Sequence, residues 1–189
     1  TPGMYFNNPM LTKAREAGVV VTSEMEVFFD LCPCKLYAVT GSDGKTTTTT
    51  LISEFLKAEG KRVHLGGNIG KALLPIVETM SETDAAVVEL SSFQLISMRK
   101  SPDVAVITNI SPNHLDVHGT MEEYIDAKCN LIRHQNAFSK TVLNADNEET
   151  MKLAPMVRGT LVKFSLSGNT DRGAFLRDDG MLCYIDKGK

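Results

Sequence analysis

No apolar run in this chain approaches the roughly 20 residues that a membrane-spanning helix needs. Excess positive charge is lacking too. Twenty Lys and Arg stand against 23 Asp and Glu, a formal net charge of −3, which gives no electrostatic footprint for nucleic acid. The opening TPGMYFNNPM has neither the basic start nor the apolar stretch of a signal peptide. It also has no initiator methionine, so the chain is expected to begin inside a longer protein. There is no Cys-x-x-Cys pair: Cys32 and Cys34 flank a proline, while Cys129 and Cys183 stand alone. That usage reads as reduced cytosolic thiols rather than a zinc site. No repeat occurs, and the only low-complexity stretch is a run of threonines. What remains is 42% apolar and 23% charged residues, an ordinary globular composition. The 189 residues suffice for one domain, or one domain plus a fragment.

Short runs rich in β-branched residues alternate with longer helical patterns. Strands are predicted at 36–40, 62–66, 85–90, 104–110, 141–144 and 160–164, and helices at 45–59, 70–80, 121–135 and 148–156. Strands apolar on both faces and separated by helices predict an α/β fold, a doubly wound and mostly parallel sheet covered on both sides. Near the C-terminus, two short strands flank Asp179-Gly180, a hairpin signal. Residues 1–34, with helices at 9–17 and near 24–30, read as the tail of a preceding unit and a linker. Residues 35–189 read as the main domain.

The stretch TGSDGKTTTTT, residues 40–50, lies between a strand and a helix. Threonines are poor helix formers, so their crowding at a helix start needs a reason. Gly41 and Gly44 permit backbone conformations closed to other residues. A loop through Ser42 and Asp43 can then turn N–H groups inward, and the helix beginning near Lys45 adds its positive end. Lys45 supplies a mobile cation and Thr46 a hydroxyl suited to magnesium. Thr47 and its neighbours are placed to cap the first turn. This is the chemistry of a phosphate-binding loop of P-loop type. The spacing is G-x-x-G-K-T, however, and the longer form would need glycine where Val39 stands. A glycine-rich turn before a helix is the plainer alternative.

Other stretches fall where an open parallel sheet holds ligands, at the carboxyl ends of strands. Glu89 ends the strand 85–90, and a carboxylate there is a natural magnesium ligand; the alternative is a surface glutamate. SPNHLDVHG, residues 111–119, places His114, Asp116 and His118 in a loop. GGNIG, residues 66–70, offers Asn68 as donor and acceptor, or is simply a turn into helix 70–80. Lys128 lies in the helical YIDAK, and by pattern alone is a solvated helix lysine.

GSDGKTT, GNIG, ELSSFQL, TNISPNHLD, YIDAK and LNAD occur in the order found in the Mur ligases, which the chain resembles along nearly its whole length. GNIG with ELSSFQL is most similar to the branch that adds D-glutamate. The sequence departs from the family pattern in two places: Asp43 stands where Asn is common, and Asn113 precedes His114 where Asp is frequent. The resemblance implies an ATP-dependent amide-forming ligase of peptidoglycan precursor synthesis, with nucleotide held by residues 41–47. ATP would phosphorylate the carboxylate of UDP-N-acetylmuramoyl-L-alanine, and the amine of D-glutamate would attack the acyl phosphate. Lys45, His114 and Lys128 would act in catalysis. Thr46 and Glu89 would hold one Mg2+, and His114 and a carbamylated Lys128 a second. Gly3, Asn68, Ser91, Ser92 and Gln94 would contact the UDP-sugar substrate.

The resemblance also implies that residues 1–34 end a UDP-binding domain and that 35–189 form a central ATPase domain. An amino-acid-binding domain would follow, and this part alone would be inactive. The parent enzyme is expected to be a cytoplasmic monomer acting on small molecules, with no membrane or nucleic-acid partner. Two alternatives stand beside this reading. A folylpolyglutamate synthase-like ligase is opposed by Thr46-Thr47 and ELSSFQL. A P-loop regulatory NTPase is opposed by the ligase motifs beyond the loop.

Overall fold

The computed structural model describes residues 8–112, 120–168 and 170–186. Eight strands form one sheet in the order β2-β3-β1-β4-β5-β6-β7-β8. They are β1 Lys35–Thr40, β2 Val63–Gly67, β3 Ala85–Glu89, β4 Val104–Ile107, β5 Lys140–Asn144, β6 Thr160–Ser165, β7 Gly173–Leu176 and β8 Leu182–Ile185. Every pair is parallel except β7 with β8, the expected hairpin around Asp179-Gly180. The helices are α1 Pro9–Glu16, α2 Glu24–Leu31, α3 Lys45–Ala58, α4 Ser92–Leu95, α5 Met121–Arg133 and α6 Glu148–Met151.

Alternation along β3 sorts the core. Ala86 and Val88 join the larger cluster with Phe28 of α2, Leu95 of α4 and Leu131 of α5. Ala85 and Val87 join a smaller cluster with Leu56 of α3. Every residue of β3 is buried, as a strand covered on both faces must be. The sheet is therefore the predicted doubly wound one. The chain leaves β1 toward β2 and β3 on one side, then crosses to β4 on the other. The carboxyl end of β1 is thus the topological switch point, where such sheets bind ligands.

Three elements differ from the sequence expectation. Residues 70–80 are not an α-helix; a 3₁₀ segment covers only Leu74–Thr79. Pro75 cannot donate its bond to Lys71, and its ring would clash with that carbonyl, so no α-helix passes through. The helix expected at 148–156 splits into α6 and a 3₁₀ turn at Ala154–Met156, with Pro155 acting the same way. The strand expected at 104–110 stops at Ile107, because the next residues leave the sheet to brace the loop after β1.

Candidate active site

The loop after β1 is held from below by the segment after β4. Asn109 accepts the Ser42 N–H on its carbonyl at 2.9 Å and the Asp43 N–H on its side-chain oxygen at 2.8 Å. The Thr108 hydroxyl donates to the Asp43 carbonyl at 2.6 Å. The Ser42 hydroxyl donates to the Ser111 carbonyl, accepts the Ser111 N–H, and lies 3.1 Å from the Tyr124 hydroxyl of α5. Two further asparagines extend the brace. Asn144 donates to the Thr108 carbonyl, and Asn147 pairs with both the N–H and the carbonyl of Ile110.

Gly41 sits where this bracing is tightest. Its φ is +154°, and a Cβ there would lie 1.9 Å from the Thr108 hydroxyl oxygen. Gly44, in the left-handed region at φ 75°, is the N-cap of α3. It provides no side-chain cap, so the first-turn N–H groups face outward, as anion binding at a helix start requires. The expected threonine caps do not form: Thr46 turns to Glu89, and Thr49 donates back to the Lys45 carbonyl.

Glu89, at the carboxyl end of β3, is 2% exposed, which removes the surface-glutamate alternative. One carboxylate oxygen accepts the Thr46 hydroxyl at 2.6 Å, and the other accepts the Asn68 amide at 2.8 Å. A carboxylate and a hydroxyl meeting beside an uncapped helix start are hard oxygen donors, and this set fits Mg2+. Among the described residues, no group of three or more His, Cys, Asp or Glu side chains gathers for a metal.

Lys128 is not a solvated helix lysine; it is 1% exposed. Its ammonium donates to the Gly41 carbonyl at 3.0 Å, lies 3.4 Å from the Thr40 hydroxyl, and stands 4.5 Å from the centre of the Tyr124 ring. Lys45 donates to the same Gly41 carbonyl at 2.9 Å and to that of Ser42 at 2.8 Å. Burial, with the Lys45 charge adding to it, lowers the Lys128 pKa to about 7.

The carboxyl ends of β1, β2 and β3 and the helix α5 thus bring together Gly41, Ser42, Asp43, Gly44, Lys45, Thr46, Asn68, Glu89 and Lys128. Ser91 and Gln94 are engaged with each other in a capping box at the start of α4, and Ser92 is buried. Gly3 and His114 lie outside the described residues, as do Asn113, Asp116 and His118. Sequence reasoning missed Asn109, Tyr124, Asn144 and Asn147. TNISPNHLD, YIDAK and LNAD drew attention to Asn109, Tyr124 and Asn144 only as parts of motifs. Nothing local marks Asn147, whose partner Ile110 lies on a distant segment.

The Mur ligase middle-domain model matches residues 39–181. The chain belongs to that family. The UDP-N-acetylmuramoylalanine–D-glutamate ligase of Acetivibrio thermocellus is 55% identical over 186 residues, 98% of this chain and 40% of that protein. The ligase of the same name from Ruminiclostridium cellulolyticum is 54% identical over 182 residues, 96% of this chain and 39% of that protein. The chain therefore spans about two fifths of the length of these relatives. The MurF ligase from Thermotoga maritima in complex with ADP superposes with a TM-score of 0.65 at 24% identity, over 85% of this chain and 40% of that one. A UDP-N-acetylmuramate:L-alanyl-gamma-D-glutamyl-meso-diaminopimelate ligase from Neisseria meningitides gives 0.65 at 16% identity, over 99% of this chain and 63% of that one. These two likenesses carry the fold alone.

Proposed function

We propose that this chain is the ATP-handling core of a cytoplasmic ligase that joins D-glutamate to UDP-N-acetylmuramoyl-L-alanine in peptidoglycan precursor synthesis. The observation that carries the reading is Glu89. It is a buried carboxylate at a central strand end, bonded to the first-turn hydroxyl of a phosphate-type loop, in a chain 55% identical to a D-glutamate ligase. Residues 35–189 form the central ATPase domain, and 1–34 are the tail of a UDP-binding domain with its linker. The whole enzyme works as a monomer on small molecules, without membrane or nucleic acid.

The helix start and the loop of residues 41–47 bind the phosphates of ATP. Lys45 leaves the carbonyls of Gly41 and Ser42 for the transferring phosphoryl group, whose transfer needs positioning and charge neutralisation. The substrate carboxylate attacks that phosphorus, ADP leaves, and the amine of D-glutamate displaces phosphate from the acyl phosphate. Glu89 and Thr46 would hold Mg2+, which would supply positive charge beside the phosphoryl oxygens. Lys128 cannot ligate a cation as an ammonium. Its lowered pKa supplies neutral amine near pH 7. Addition of CO2 with loss of one proton then gives a carbamate, an oxygen donor for a second ion together with His114. Asn68, Ser91, Ser92, Gln94 and Gly3 contact the UDP-sugar substrate.

Lys45→Ala in the intact protein tests the loop assignment. Ligation should fall about 100-fold or more, the scale of losing one charge-stabilising group. A folded variant with an unchanged ligation rate overturns the assignment.

A further inference from the structure

The far end of the sheet carries chemistry that the proposed ligase does not use. A cavity of about 570 Å³ opens there, lined by Phe29, Cys32, Cys34, Asp103, Phe138 and Lys140 among others. It lies at the amino ends of β1, β4 and β5, opposite the phosphate-type loop. Asp103 fixes one wall by accepting the Leu36 N–H at 2.8 Å. Cys32 caps the end of α2, Pro33 follows, and Cys34 leads directly into β1. The two sulfurs are 3.5 Å apart, and the Cys32 thiol also reaches the Cys34 carbonyl at 3.6 Å. Both thiols are free.

We propose that Cys32 and Cys34 are a redox-modifiable dithiol, which a low-molecular-weight disulfide entering this cavity converts to an intramolecular disulfide. The order of events follows from exposure. Cys32 is half-buried, whereas Cys34 is 5% exposed. Burial, followed by the adjacent Cys32, pushes the Cys34 thiol up to about 12, so Cys34 does not react first. The Cys32 thiolate attacks the reagent disulfide, forming a mixed disulfide and releasing one thiol. The Cys34 sulfur, already in contact, then attacks the Cys32 sulfur and releases the second thiol. Two electrons and two protons pass from the protein dithiol to the reagent, which leaves as two thiols.

Such a bond would not serve as a fold staple. The loop it closes holds a single intervening residue, and stabilisation by a disulfide grows with the loop it closes. Its effect is local: it fixes the α2–β1 linker, whose strand runs directly into Gly41. Pro33 stands between the two cysteines. Its ring fixes one backbone angle of the linker between them.

The test is oxidised glutathione on the intact protein that carries this chain. Acid quenching, maleimide alkylation and peptide mapping follow. The peptide holding both cysteines should lose both alkylatable thiols together and carry no glutathione. In Cys34→Ser the reaction should stop at a glutathione adduct on Cys32. Should Cys34→Ser fail to fold, the unsubstituted protein still decides. A stable glutathione adduct on Cys32, or two thiols still alkylated after oxidation, overturns the proposal.

Discussion

At the scale of single residues, Lys128 shows how context remakes a side chain. An ordinary lysine is cationic at neutral pH. Here, among the described residues, a fully buried amine meets a carbonyl, a hydroxyl and a ring face, with another cation on the same carbonyl. Desolvation favours the neutral form, which brings the pKa down to about 7. Carbamate formation, which consumes neutral amine, should therefore rise as pH increases through about 7 at fixed dissolved CO2. In the intact protein, 13C-labelled CO2 should give a carbamate carbon resonance that is absent in Lys128→Ala. That variant should lose ligation about 100-fold or more, and short carboxylic acids should restore part of it. Full activity of Lys128→Ala, or no labelled carbamate at any pH, would remove this role. The local pattern alone points to a solvated helix lysine, and only the resemblance to the Mur ligases brings Lys128 to the site. Burial of α5 depends on packing against β1 and α4, and nothing in YIDAK reports that contact.

At the scale of elements, strands and helices were legible wherever periodicity and punctuation agreed. The failures at 70–80 and 148–156 trace to Pro75 and Pro155, single residues inside otherwise helical patterns. The early end of β4 was not legible, because Thr108 and Ile110 read as a β-branched continuation while the partners of Thr108 and Asn109 lie at Thr40–Asp43. That bracing makes the two loop glycines unequal. Ala at Gly41 would put Cβ 1.9 Å from the Thr108 hydroxyl, which is itself pinned by the carbonyls of Thr40 and Asp43, and 3.2 Å from the Asn109 backbone. Relief requires giving up those bonds, and a cost of about 2–3 kcal/mol is expected. Ala at Gly44 meets nothing within 4 Å, so only the left-handed backbone resists it, at about 1 kcal/mol. Urea unfolding of the two variants checks the order. Gly44→Ala proving the more costly would mean that the β4 segment does not brace the loop.

At the scale of the whole molecule, the N-terminal helices read in sequence as the tail of another unit, and nothing there reports how the linker attaches. Met25 and Phe28 of α2 enter the main core, and one buried carboxylate ties that helix to the segment after α4. Glu26, 2% exposed, accepts the Arg99 backbone N–H and Nε on one oxygen, and Arg99 Nη2 with the Thr22 hydroxyl on the other. The Arg99 hydrogen bonds outweigh desolvation and hold the carboxyl down to about 2 from an ordinary 4.5. A depressed carboxylate contributes stability that is fully present above its unfolded pKa. The contribution fades as pH falls from about 4.5 and is lost near 2. Breaking one side of a fully buried pair costs about 3–5 kcal/mol. Arg99 is 56% exposed, so water takes up part of its charge, and Glu26→Gln should cost about 2 kcal/mol at neutral pH. The penalty should shrink as the protein is acidified, because below the native pKa both chains carry an uncharged side chain at this position. Urea midpoints of both proteins, followed from neutral pH down to about pH 3, measure the convergence. A penalty independent of pH would mean that packing at the α2 seam, rather than the charge on Glu26, holds the linker to the sheet.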